Sequence, residues 1–184
     1  MMNVSATSLK GLWLIETQLI ADKRGRFMRL FCKDELGELL GNRIIQQVNH
    51  SCTEQVGSVR GMHFQYPPKA EAKFVCCLRG RVFDVAIDLR RGSETFLQWY
   101  SCELSANNRK MLFIPEGFAH GFQTLEESSV MLYLHTEFYS ASHEGSVRYN
   151  DRRVNIEWPL EVTQVSDRDK QHPLLSAQFD GIKI

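Results

Sequence analysis

The chain has 184 residues, 43% of them hydrophobic and 24% charged, values of an ordinary folded protein rather than a disordered one. That length supports one domain with a substantial core and is short for two. Lysine plus arginine equals aspartate plus glutamate at 22 each, so no global field draws in nucleic acid or an anionic membrane, and an anionic ligand must be held by local positive groups.

Strand signals dominate the chain in order. Residues Gly11 to Ile20 alternate loosely between apolar and polar, and Asp22-Lys-Arg-Gly25 reads as a turn. One short helix is expected from Asp34 to Leu40, with Asp34 as its cap and Leu36, Leu39 and Leu40 on one face. Strands are then expected over Ile44–Asn49, Ser58–Gln65, Ala72–Leu78, Arg81–Asp88, Thr95–Leu104 and Lys110–Pro115. A hairpin is expected next, Gly121–Thr124 and Val130–Thr136 flanking the polar turn Glu126–Ser129. The last quarter, including Val165 to Asp169, reads as irregular segments packed back against the body. Many short strands at close turn spacing give an all-β sandwich or barrel, and the strand–Gly–strand texture suits a jelly roll. With no linker, repeat or low-complexity stretch, residues 1–184 form a single domain on this reading.

The five cysteines, at 32, 52, 76, 77 and 102, contain no CxxC pair, and the adjacent Cys76 and Cys77 point to opposite faces of a strand. An odd, unpatterned set fits reduced thiols better than a disulfide framework or a zinc site. The N-terminal residues lack a basic segment followed by an apolar run, and no apolar stretch approaches membrane-spanning length. A soluble cytoplasmic protein is the expectation.

Five polar features interrupt the apolar strands. In Arg60-Gly-Met-His63-Phe-Gln65, residues 61, 63 and 65 share a face, with Arg60 on the other or in a bend eased by Gly61. His63 alone reads first as a hydrogen-bonded core histidine. Lys73, inside the apolar run Ala72–Leu78, is either an exposed snorkelling residue or a fixed cation within the barrel. Pro115-Glu-Gly-Phe-Ala-His120-Gly-Phe122 suggests a close backbone approach beside an aromatic wall. Neither His63 nor His120 has the paired histidine spacing of a cupin metal site, which weighs against a metal. Tyr133 and Tyr139, six apart on one expected strand, suit stacking or proton delivery, against plain strand packing. Asp169, in Ser166-Asp-Arg-Asp169, belongs either to a solvated loop or to a histidine–carboxylate pair.

The order and spacing of these features, with Asp22-x-Arg-Gly25, Gln47-Val-Asn49, Asp84–Arg90, Gly92-Ser93, Asn150-Asp151 and Trp158-Pro159, resemble the dTDP-4-dehydrorhamnose 3,5-epimerase family over residues 10–173. The resemblance implies an all-β, cupin-like jelly roll with short peripheral helices. It implies a homodimer that exchanges N-terminal segments, acting on a nucleotide-linked 4-keto-6-deoxyhexose without metal or other cofactor. His63 would be the general base, Asp169 its partner, Tyr133 the general acid and Lys73 the stabiliser of the oxyanion on C4. His120 would line the sugar site, and Tyr139 would contact the substrate. Arg24, Gln47, Asn49 and Arg60 would hold the nucleotide and its phosphates, with Glu144 and Arg168 at its periphery. Arg29 stands where the family usually has a glutamate expected to contact thymine, which opens base specificity. Leu134 replaces a common lysine, read as a packing change. The rival readings are a metal-binding cupin enzyme using His63 and His120, a non-catalytic nucleotide-sugar binder, a 3,4-ketoisomerase, and an epimerase of C3 or C5 alone.

Overall fold

The computed structural model describes all 184 residues, and no helix in it is long and apolar enough to cross a membrane. Its strands are β1 (Met2–Ala6), β2 (Trp13–Thr17), β3 (Leu19–Asp22), β4 (Gly25–Met28), β5 (Gln47–Thr53), β6 (Ser58–Gln65), β7 (Lys73–Arg79) and β8 (Arg81–Asp88). They continue with β9 (Trp99–Ser105), β10 (Lys110–Ile114), β11 (Phe118–Thr124), β12 (Ser129–His135), β13 (Glu144–Ser146) and β14 (Gln164–Val165). The helices are α1 (Lys33–Leu40) and α2 (Asp167–Gln171).

Two antiparallel sheets face each other, one ordered β1-β2-β10-β7-β12-β5 and the other β13-β6-β11-β8-β9 with β14 beside β6. This is the cupin-like jelly roll the sequence implied. The central strands β7 and β8 are apolar on both faces because three layers need filling. On β7, Val75 and Cys77 point into the space between the sheets with Val82, Leu104 and Phe122. Phe74 and Cys76 point outward, against Leu36 and Leu40 of α1. The outer face of the second sheet, with Met62, Phe64, Val85 and Ile87, is covered by Val147, Val154 and Ile182 of the C-terminal segment.

Several expectations need correction. The 126–129 turn does not close a hairpin: β11 pairs with β6 and β8, whereas β12 pairs with β5 and β7 in the opposite sheet. Local turn chemistry cannot reveal whether two strands pair or part. Helix α1 starts one residue earlier than expected, its cap is Cys32 with no side-chain bond, and Asp34 lies in its first turn. The supposedly irregular 165–169 stretch forms β14 and α2, whose cap Ser166 accepts a hydrogen bond from the Asp169 amide at 3.1 Å. Strand β1, on the edge of its sheet beside β2, was not anticipated at all.

One backbone contact positions the interior. The β6–β11 register shifts between His120 and Phe122, where Gly61 and Gly121 meet. A methyl group on Gly121 would lie 2.5 Å from the Arg60 carbonyl oxygen and 2.6 Å from Met62 Sδ. The kink at Gly61, with φ near +124°, also breaks the alternation of β6, so that Arg60 and His63 line the same cavity. Gly121→Ala should destabilise the protein by about 1–3 kcal/mol, read as a lowered urea midpoint at constant slope.

Candidate active site

A cavity of about 340 Å³ opens between the sheets and is lined by 17 residues. The first sheet contributes Gln47, Asn49, Ser51, Lys73, Tyr133 and His135, and the second Arg60, His63, Gln65, His120 and Glu144.

His63 projects from β6 and is the better exposed half of a pair, its side chain 37% accessible against 6% for Asp169. Its Nε2 lies 2.8 Å from Asp169 Oδ1, while the Gly61 amide donates to Oδ2 at 3.4 Å. Burial pushes the Asp169 carboxyl up, but bonds to His63, Ser166 and Gly61 outweigh it and hold the group below the usual carboxylate range. The histidine therefore keeps a charged partner behind it and offers its other nitrogen to the cavity.

Neighbouring His120, on β11, is bound differently. Its Nε2 contacts both oxygens of Asp84, at 2.9 and 3.1 Å, and both side chains are almost fully buried. Burial raises the Asp84 carboxyl above its ordinary value, against the pull of His120 and Lys73.

The first sheet supplies the facing wall. Tyr133 on β12 shares a 2.9 Å hydrogen bond with Ser51, and burial pushes its phenol up to about 12. Its ring meets His120 edge-on at 6.2 Å and stacks on His135 at 6.0 Å. Lys73 on β7 is buried, as the barrel reading required, with its ammonium 2.7 Å from Glu71. The other Glu71 oxygen lies 2.8 Å from His135 Nδ1. Burial would raise Glu71, yet Lys73 and His135 overcome it and hold the carboxyl down at about 2.

The remaining expected residues divide. Gln47, Asn49, Arg60, Tyr139 and Glu144 line the cavity. Tyr139 lies beyond β12 in a loop rather than on one strand with Tyr133, and its hydroxyl donates to Glu144 at 2.9 Å. That loop is tied down by Gln65, whose Oε1 accepts from the Ser140 amide at 2.6 Å and whose Nε2 donates to the Phe138 carbonyl at 3.2 Å. Arg168 pairs with Glu144 and borders the adjoining depression behind His63. Arg24 and Arg29 are not brought to the cavity within one chain: Arg24 pairs with Asp22 across a turn, and Arg29 with Glu35 of α1. Leu134 is buried under α1, as the packing reading expected. Sequence reasoning passed over Asp84, Glu71, His135 and Ser51. Glu71 and His135 carried a signal, each spaced by two from a site residue (Lys73 and Tyr133) on one side of an extended chain, and Asp84 opened one of the segments that carried the resemblance.

The model of the dTDP-4-dehydrorhamnose 3,5-epimerase family matches residues 6–177. The chain belongs to that family. The relative named dTDP-4-dehydrorhamnose 3,5-epimerase from Salmonella typhimurium is 42% identical over 177 residues, covering 95% of this chain and 96% of its own. A solved epimerase of that name from Bacillus anthracis, with TDP and pyrophosphate bound, is 39% identical with a TM-score of 0.91, covering 95% of this chain and 100% of the other. The Legionella pneumophila enzyme in complex with dTDP-4-keto-L-rhamnose is 36% identical over the whole of both chains, also at a TM-score of 0.91. The sequence resemblance thus holds, and with it the assignment to the epimerases of rhamnose-type sugar biosynthesis.

Glu71 gives this site a pH signature. Its carboxyl is depressed from an ordinary 4.5 to about 2, so its stabilisation is complete above about 4.5 and lost as pH falls toward 2. Glu71→Gln, which leaves the buried Lys73 without its counter-ion, should cost about 3 kcal/mol near neutrality. Urea denaturation across pH should show that gap narrowing below pH 4.5.

Proposed function

We propose that the chain inverts C3 and C5 of dTDP-4-keto-6-deoxy-D-glucose by removing a proton beside the ketone and returning one to the opposite face. The observation that carries this reading is a carboxylate-backed histidine on one sheet facing a neutral tyrosine and a buried ammonium on the other. A ketone at C4 acidifies the hydrogens at C3 and C5, because the carbanion is an enolate with its charge on oxygen. His63 takes the proton, and Asp169 orients the ring and stabilises the imidazolium that forms. Lys73 supplies positive charge at the C4 oxygen in a water-poor barrel. Glu71 offsets part of that charge and fixes where the ammonium lies. Tyr133, pushed up to about 12, stays protonated throughout the neutral range and can deliver a proton from the facing sheet. His120, held by Asp84, shapes the sugar site between them.

In heavy water, both C3 and C5 hydrogens should exchange, followed by proton NMR. His63→Asn should abolish exchange at both carbons. Tyr133→Phe should retain the first proton loss while slowing completed inversion by about a hundredfold. Full epimerase activity in both variants would refute the assignment; exchange at a single carbon would make this an epimerase of that carbon alone.

The nucleotide would lie toward Gln47, Asn49 and Arg60, where Arg60 is steered by Thr53 at 2.7 Å. Glu144 and Arg168 would close its edge. Arg24 and Arg29 would join it from a second copy. The β3–β4 hairpin pairs with no other strand, and it carries Ile20 and Phe27, 62% and 65% exposed. A two-stranded arm of that kind is marginal without cover, and a homodimer exchanging arms provides it. Five free cysteines and the anabolic chemistry support a single-domain enzyme of the cytoplasm.

Arm exchange predicts complementation. Arg24→Ala and His63→Asn proteins, each inactive alone, should regain about a quarter of wild-type activity when unfolded, mixed and refolded as random two-fold dimers. No recovery, with dimers verified by light scattering, would place each arm on its own cavity.

A further inference from the structure

Three buried side-chain polar atoms lack a hydrogen-bond partner, Ser58 Oγ, Arg148 Nε and His172 Nε2, and the histidine nitrogen is the metal-ligating type among them. His172 Nε2 is buried with no hydrogen-bond partner, an arrangement that ordinarily costs about 1–3 kcal/mol. His172 follows α2 directly and is three residues beyond Asp169, so the two side chains share a face of that turn. Ligand atoms of His172, Asp169 and His63 all lie within 4.8 Å of one another, and no other three histidine, cysteine or carboxylate ligands in the chain gather so closely.

We propose that His63, Asp169 and His172 form a binding site for a divalent transition ion of the zinc class, and that occupancy switches the enzyme off. Two imidazoles and one carboxylate, with positions left for water, are a ligand set suited to such ions. Asp169 on α2 and His172 at its C-cap, spaced by three, resemble the acidic-residue–histidine pairs that present both donors to one ion in helical metal sites. Tetrahedral ligands stand roughly 3.4 Å apart, so closure needs about an ångström of ring movement, on a short helix packed against β6. The adjoining depression, lined by His63, Asp169 and Arg168, leaves the ion a route from solvent. The metal is not a cofactor here: it would take the His63 nitrogen that now bonds Asp169 and so separate the base from its carboxylate.

The site stands on geometry alone; only its effect on turnover rests on the reading of His63 as the base. Zinc should titrate into the untagged full chain at one ion per chain by calorimetry, and cobalt should give a visible absorption band. His172→Ala should weaken zinc binding by at least about tenfold and drop the cobalt band, while metal-free epimerase activity stays unchanged and zinc inhibition weakens by the same factor. His172→Gln serves if the alanine variant loses its thermal transition. Equal zinc affinity in wild type and variant, or no uptake by wild type, would overturn the site. Uptake that depends on His172 but leaves epimerisation untouched would overturn the inhibitory role.

Discussion

Charge buried inside a β-barrel has to be answered within bonding distance, and that constraint organises this molecule. Lys73, Asp84, His120 and Asp169 are all nearly inaccessible, and each has an oppositely charged or hydrogen-bonding partner within 3.1 Å. Removing water from an ion costs several kcal/mol, so an unanswered charge at any of these places would unfold the barrel or neutralise itself. The pairing also sorts the groups by what they remain able to do. His120 spends its nitrogen on two oxygens of a fully buried carboxylate, whereas His63, paired through one nitrogen and more than a third exposed, keeps the other for the cavity. Histidines opposite each other in the β6–β11 ladder thus differ through their partners, not through their strands.

The jelly-roll topology then places unlike chemistry on facing walls. From β5 to β13 the chain crosses to the other sheet after every strand except β8, so adjacent stretches of sequence end up opposite one another. Lys73 and Tyr133 fall on one sheet, His63 and His120 on the other. A base and an acid on a single strand face could serve only one side of a planar enolate. Crossing between sheets would give the proposed base and acid each its own side, while the Gly61–Gly121 contact sets how closely β6 and β11 pack within the second sheet.

Much of this could be read in the residues. Strands β6 and β8 have the bounds expected from pattern alone, because both are bracketed by glycine or charged breaks. The opposite orientations of Cys76 and Cys77 follow from the strand period, whereas the interior position of Lys73 came from the resemblance, since a lysine in an apolar strand reads first as an exposed, snorkelling side chain. What stayed hidden depends on partners distant in sequence. Whether β11 and β12 pair or part is decided by β5 and β8, not by the turn between them. Helix α2 spans five residues, too few for a period to show. His135 gains meaning only through Glu71, 64 residues away, and His172 only through His63.

The β3–β4 arm shows the same logic from outside the barrel. Arg29 and Glu35 pair at the surface, with the arginine side chain 53% exposed, and surface pairs of that kind contribute at most about 1 kcal/mol. Burying Ile20 and Phe27 would contribute about 1.5–3 kcal/mol for each. The apolar term is therefore the larger of the two, and it favours whichever arrangement covers the arm, even one that gives up the Arg29–Glu35 pair. An arginine released in this way carries its charge to wherever the arm docks. If the arms exchange as proposed, the charge at position 29 would bear on the nucleotide only in the assembled protein, and base selectivity would be a property of the assembly rather than of the single chain.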